Sequence, residues 1–209
     1  MQSCAHFFFL FFFLQACASI FSKLCVAIPI VKLETALLRS GAVEALAQLV
    51  CHAHVRTAAL ECLFGLCADI ETSEMMIRKG ILGPLVQLLC QWKRALSPES
   101  ESAGLWREIR QCLRLLTILS RVDMFAVPFM ALSGHVAVMQ IIDESCCSEE
   151  ALKPLGGEVL VNMLCVTPEA ADQLSCPCKS LARLVIENTL MATENEALRS
   201  RSLDVLSNL

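Results

Sequence analysis

A six-residue phrase that occurs twice constrains the fold of this chain more than any other feature. Leu38-Arg39-Ser40-Gly41-Ala42-Val43 is matched 39 residues later by Ile77-Arg78-Lys79-Gly80-Ile81-Leu82. Each copy runs on into apolar residues at helical spacing, Leu46, Leu49 and Val50 in the first and Leu85, Val86, Leu88 and Leu89 in the second. A helix end, a glycine and a fresh apolar helix, repeated at a period near 40, is the sequence form of a helical solenoid. A second pattern supports it. Val55, Ala59, Cys62, Leu63 and Leu66 are spaced four, three, one and three residues apart, and Leu105, Ile109, Cys112, Leu113 and Leu116 repeat those steps 50 residues on. The extra length is assigned to an insertion over 91–104, where Ser97-Pro98-Glu99-Ser100-Glu101-Ser102 is polar and turn-like.

The remaining chain reads as more of the same. Asp69 to Ser73 is a polar break before Glu74-Met75-Met76-Ile77, and Pro84 places a helix start near Gly83. Val127-Pro128 interrupts one stretch, Gly156-Gly157 breaks another, and Cys176-Pro177-Cys178 forms a turn before the helical residues Ser180 to Met191. No glycine-rich phosphate loop and no alternating strand series is present. The expected organisation is a repeat domain over 31–200 containing the insertion, with 201–209 as a short tail.

The first thirty residues stand apart. Phe7 to Leu14 is an unbroken Phe/Leu run, and Lys23 is the one residue of fixed side-chain charge in the segment. A signal peptide would have such a core, with Ala16-Cys17-Ala18 as a small-residue cleavage site, but Met1 to His6 holds no Lys or Arg. A membrane span of about 20 residues is reached only by accepting Lys23. An atypical terminus and a helix capping the solenoid remain open beside these two.

Composition bears on partners and compartment. Hydrophobic residues make up 56 % of the chain and charged ones 18 %, against ordinary values of about 45–50 % and about 25 %. That excess fits helices buried on several sides. A net charge of −4 argues against a nucleic-acid partner. The 13 cysteines are odd in number, and Cys62 and Cys67 sit in an apolar helical run. They are read as reduced, packed thiols in a cytoplasmic protein, with secretion or membrane association conceivable only through residues 1–30.

The unit resembles the armadillo repeat. Its best copy here is Gly41-Ala42-Val43-Glu44-Ala45-Leu46-Ala47-Gln48-Leu49-Val50, followed by Val55-Arg56-Thr57-Ala58-Ala59-Leu60-Glu61-Cys62-Leu63-Phe64-Gly65-Leu66-Cys67. The match is close over 33–120 and degenerate over 121–190, and HEAT repeats share much of the pattern. The resemblance implies an all-α fold, a right-handed superhelical solenoid whose third helices line a groove for an extended peptide or a partner helix. In the nuclear-import receptors an asparagine late in that helix clamps the ligand backbone. At that place this chain has Gly65 and Leu115, and Asn162 is its counterpart, a departure that argues against import-receptor function.

The binding candidates follow. Arg107, Arg110 and Arg114 lie opposite the apolar stripe, Arg121 continues their row, and Lys93, Arg94 and Trp106 extend it. An arginine row grips carboxylates in pairs, so the expected partner is an acidic peptide or helix, with Arg56, Gln111 and Asn162 marking the groove. No cofactor, metal or catalytic residue is expected. Cys51, His52 and His54 are too close together to build a tetrahedral site alone. Cys176 and Cys178 would close too strained a ring for a standard disulfide, and Cys146-Cys147 lies among acidic residues that weaken a thiolate. The function expected is a non-catalytic protein-binding scaffold. The alternatives are a subunit buried in a larger assembly and, more remotely, a cysteine-dependent hydrolase.

Overall fold

The computed structural model describes residues 41–67, 69–91, 102–144 and 152–209. The hydrophobic leader, Lys93, Arg94, Cys146-Cys147 and most of the polar insertion lie outside them. Eleven α-helices occur among the described residues, with no strand. They are α1 (Ala42–Val50), α2 (Ala53–Leu66), α3 (Ile70–Arg78), α4 (Leu82–Leu89), α5 (Ser102–Leu119), α6 (Ala126–Ala131), α7 (Gly134–Glu144), α8 (Leu152–Val166), α9 (Glu169–Gln173), α10 (Cys176–Ala192) and α11 (Glu196–Asn208). A 3₁₀ turn, Asp123–Phe125, leads into α6.

These helices stack in two ladders. In one, α2, α5, α8 and α11 pack in sequence; in the other, α1, α4, α7 and α10 do. Each member of the first ladder also packs on the member of the second that precedes it in the chain. The short helices α3, α6 and α9 join one unit to the next. Four units therefore share one continuous core, the arrangement of a solenoid.

The steps of four, three, one and three explain the first ladder. They place five residues along one side of a helix. Ala59, Cys62, Leu63 and Leu66 of α2 are buried, as are Ile109, Cys112, Leu113 and Leu116 of α5. The structure extends the pattern to two helices where it was not read. In α8 it runs Leu152, Gly156, Val159, Leu160 and Met163, and along α11 Leu198, Ser202, Val205, Leu206 and the C-cap Leu209. All five are buried in α8, and in α11 only the last two are partly open. Burying one such Leu or Val contributes about 1.5–3 kcal/mol. The expected boundary at residue 200 falls inside α11, which runs as one helix from its Asn195 cap, the Asn195 carboxamide oxygen accepting from the Leu198 amide at 3.2 Å.

The two repeated glycines both take left-handed backbone, Gly41 at the start of α1 and Gly80 just after α3. Gly41 and Gly80 have φ of +80° and +81°, a region glycine occupies without penalty. At Gly80 the amide donates to the Ile77 carbonyl and that of Ile81 to the Met76 carbonyl, the double closure of a left-handed helix end. The third unit makes the same turn with Ser133 (φ 59°), whose amide donates to Met130 O at 2.8 Å. Gly134 serves differently: it opens α7, and a Cβ there would lie 2.3 Å from Cε2 of the buried Phe129 ring. Ser133→Gly should therefore raise stability by about 0.5–1 kcal/mol, since a side chain at positive φ is strained. Gly134→Ala should lower it. Urea midpoints measured in parallel would check the opposite signs.

Four sequence expectations need correction. Gly156-Gly157 does not break a helix but lies inside α8, because both glycines allow close approach. A Cβ on Gly156 would meet Ile142 of α7 at 2.5 Å, and one on Gly157 would meet Thr189 Oγ1 of α10 at 1.7 Å. Cys176-Pro177-Cys178 is not a turn but the first turn of α10, where proline is tolerated. Residues 70–73 belong to α3, because Asp69 caps it: its carboxylate accepts from the Thr72 amide at 2.8 Å, and the Thr72 hydroxyl accepts from the Asp69 amide. Ser102 to Gly104, placed in the insertion, begin α5.

Candidate partner-binding face

The register of the first ladder decides which side chains share its outer face. At 100° per residue Arg107, Gln111, Arg114 and Ile118 of α5 fall within a sector of about 60°, away from the buried stripe. Two contacts fix how this face meets α2. Gln111 Nε2 donates to Glu61 Oε1 at 3.4 Å, and the Arg114 guanidinium lies 5.2 Å from the Phe64 ring centroid. In both pairs the two residues hold the same place in the repeat. Phe64 keeps 40 % of its surface exposed, so the Arg114–Phe64 pair forms an accessible cation–π platform. On the other side Arg121 Nη2 reaches Glu158 Oε1 of α8 at 3.2 Å.

Arg107 and Arg114 are exposed, and neither has a carboxylate partner among the described residues. Arg110 is half-buried. Trp106, expected to extend the arginine row, instead packs against the core.

Two of the sequence candidates are not on this face, and both are corrections. Arg56 is buried: its Nε donates to Val50 O at 2.7 Å and its Nη1 to Glu108 Oε2 at 2.7 Å, while the Thr57 hydroxyl donates to Glu108 Oε1. It ties the end of α1 and the side of α2 to α5. Asn162 is fully buried, and its Nδ2 donates to Thr117 O and to Ser120 Oγ at 3.2 Å each. Its Oδ1 accepts from Arg201 Nη1 of α11. The amide links three helices of the ladder and has no edge to offer a ligand. The residue at its place in the last unit, which sequence reasoning missed, is Asn208. The signal was the four-three-one-three spacing in α11, masked there by Ser202. Asn208 is exposed and donates to Asp204 O of its own helix at 3.0 Å.

No protein-family model matches the chain, and no curated protein matches it. Among solved structures, the designed armadillo repeat protein YIII(Dq.V1)4CPAF in complex with the peptide (KR)4 superposes with a TM-score of 0.57 at 15 % identity, over 93 % of this chain and 92 % of that one. The chain has the armadillo-repeat fold. In armadillo terms α1, α4, α7 and α10 are the second helices of their units, and α2, α5, α8 and α11 are the third. The face carrying Phe64, Gln111 and Arg114 belongs to those third helices.

The thiols sort by depth within this armadillo core. Cys62, Cys67 and Cys112 are buried, while Cys51 and Cys90 are exposed and Cys51 Sγ lies 3.6 Å from Gln87 Oε1. Burial pushes the Cys67 thiol from an ordinary 9.0 up to about 11, opposed by its contact with the Ser73 hydroxyl. Burial also raises Cys112 and Cys165. Such thiols are poor nucleophiles. Cys67 ionises more readily unfolded than folded, so its contribution is complete below pH ~9 and lost as pH rises through ~11. That difference corresponds to about 3 kcal/mol. The urea midpoint should fall across that range, and less steeply in Cys67→Ala.

Proposed function

We propose that the protein is a non-catalytic scaffold that holds an acidic segment of a partner protein against the third-helix face, at Arg107 and Arg114. The observation that carries this reading is the pair of exposed guanidiniums with no described carboxylate partner, one of them stacked on an accessible phenyl ring. Arginine forks grip carboxylates bidentately, and the ring adds apolar contact beside the charge. Gln111, its amide donated to Glu61, and Arg110 flank the patch. Arg56 and Asn162 tie α5 to its two neighbours in the ladder, which holds this face in place. The armadillo fold of a protein solved with a bound peptide supports peptide or protein binding as a class, and the arginines specify the acidic partner. A reducing, cytoplasmic setting accords with free thiols packed in the core. Among the described residues no single helix is long and apolar enough to cross a membrane.

Charge reversal tests it. Arg107→Glu with Arg114→Glu should weaken capture of a fluorescent Asp/Glu-rich peptide at least about tenfold and flatten its salt dependence. Stability should change by less than about 0.5 kcal/mol per exposed site. Unchanged binding, measured by anisotropy, would remove this face as the site.

A further inference from the structure

The arginine row of α5 has a carboxylate beside it. Three contacts show that α2 and α5 run side by side in the same direction and nearly in register: Arg56 with Glu108, Glu61 with Gln111, and Phe64 with Arg114. Glu61 therefore stands level with Gln111, between the heights of Arg107 and Arg114. At 1.5 Å per residue that level is about 6 Å along the axis from Arg107 and about 4.5 Å from Arg114. Along the seam between the two helices the exposed charges run positive, negative, positive.

Two observations mark Glu61 as a place for a cation. Glu158 holds the same position in α8 and there receives the Arg121 guanidinium at 3.2 Å. Glu61 is exposed and has no cation among the described residues, only the 3.4 Å hydrogen bond from Gln111 Nε2. Gln111 is itself poorly satisfied, because its Oε1 is buried with no hydrogen-bond partner among the described residues. A buried acceptor left unpaired costs free energy. The Asn162 amide, by contrast, is held at both its nitrogen and its oxygen.

We infer that the partner is a helix lying along the seam between α2 and α5, with carboxylates at positions i and i+7 and a lysine or arginine between them at i+4. The inference rests on the reading that Arg107 and Arg114 bind acid, and it adds Glu61 as the residue that sets specificity. Residues i, i+4 and i+7 of a helix share one face and rise by about 6 Å and then about 4.5 Å, the steps from Arg107 to Glu61 to Arg114. An extended strand offers one face at every second residue, about 6.7 Å apart, so its third charge overshoots Arg114 by about 3 Å. The partner's carboxylates take the two arginines, and its cation takes Glu61. Gln111, released from Glu61, turns its amide toward the partner. A segment of acidic residues alone is disfavoured, because one of them then faces Glu61.

Two fluorescein-labelled, alanine-based helical peptides added to the full chain test this. One carries Glu, Lys and Glu at i, i+4 and i+7; in the other the lysine is replaced by glutamate. Anisotropy should show the mixed peptide bound at least about fivefold more tightly, and Glu61→Lys should reverse the preference while leaving the urea midpoint at the parent value. A mixed peptide with proline at i+2, which keeps the charge order and breaks the helix, should bind at least about tenfold more weakly. A preference unchanged by Glu61→Lys, with both peptides still lost on Arg107→Glu combined with Arg114→Glu, would overturn the inference and leave the acidic-partner reading standing. So would a Glu61→Lys midpoint shift with unaltered binding, which assigns the carboxylate to the fold. Equal binding of the proline peptide would overturn the helical partner. Binding of neither helical peptide would overturn the acidic-partner reading and this inference with it.

Discussion

Arg56→Ala is expected to destabilise the fold by about 3–5 kcal/mol, the range for breaking a buried ion pair from one side. The substitution leaves the Glu108 carboxylate, its side chain 12 % exposed, with the Thr57 hydroxyl as its one hydrogen-bond partner among the described residues. It also leaves the Val50 carbonyl at the end of α1 without the donor it now has at 2.7 Å. Arg56→Lys should recover only part of the loss, because one ammonium cannot serve the carbonyl and the carboxylate in the geometry of a planar fork. Arg56→Met combined with Glu108→Leu should lie well above Arg56→Ala, since no charge is then left buried. Chemical denaturation of the three variants would order them. An Arg56→Ala midpoint equal to the parent's would show that water replaces the guanidinium and that the link between the first two units is not electrostatic.

Gly157→Val is the other large effect, about 3 kcal/mol or more. Glycine inside a helix ordinarily costs about 1 kcal/mol relative to alanine, so propensity alone makes Gly157→Ala stabilising. The tertiary structure reverses the sign. A Cβ at 157 would stand 1.7 Å from Thr189 Oγ1 and 2.9 Å from Thr189 Cβ. Thr189 is itself buried, with its hydroxyl donating to Val185 O at 2.9 Å. Because Cβ cannot swing aside, α10 has to move away from α8, and overpacking of that kind costs about 1–3 kcal/mol before the branch of valine is added. Thr189→Ala in the Gly157→Ala background should return part of the loss. A double-mutant cycle with a coupling near zero would show that the two helices do not meet through these residues.

Much of the fold was legible because a helix writes its buried side into residue spacing. The steps of four, three, one and three located α2 and α5, and the paired phrases around Gly41 and Gly80 located the turns. The same steps in α8 and α11 passed unread because Gly156 and Ser202 stand where an apolar residue belongs. Gly156 answers to a neighbour on another helix, whereas Ser202 is satisfied within its own. For Gly156 the neighbour is Ile142; Ser202 is sealed within α11, donating to its own Leu198 carbonyl.

Of the candidate face, the sequence by itself determined that arginines line one side of α5, since periodicity separates a buried side from an exposed one. It could not tell an arginine on a surface from one in a joint. Arg56 and Arg114 both lie off the apolar stripes of their helices, Arg56 beside its stripe and Arg114 opposite; α5 buries the first against Glu108 while the second lies over the exposed ring of Phe64. Asn162 likewise occupies the place of a ligand clamp in its own helix. Thr117, Ser120 and Arg201, each about 40 residues away and on two other helices, turn it into a structural tie. Spacing along one helix sets which side is apolar; the neighbours that stacking brings up decide which polar residues remain free to bind.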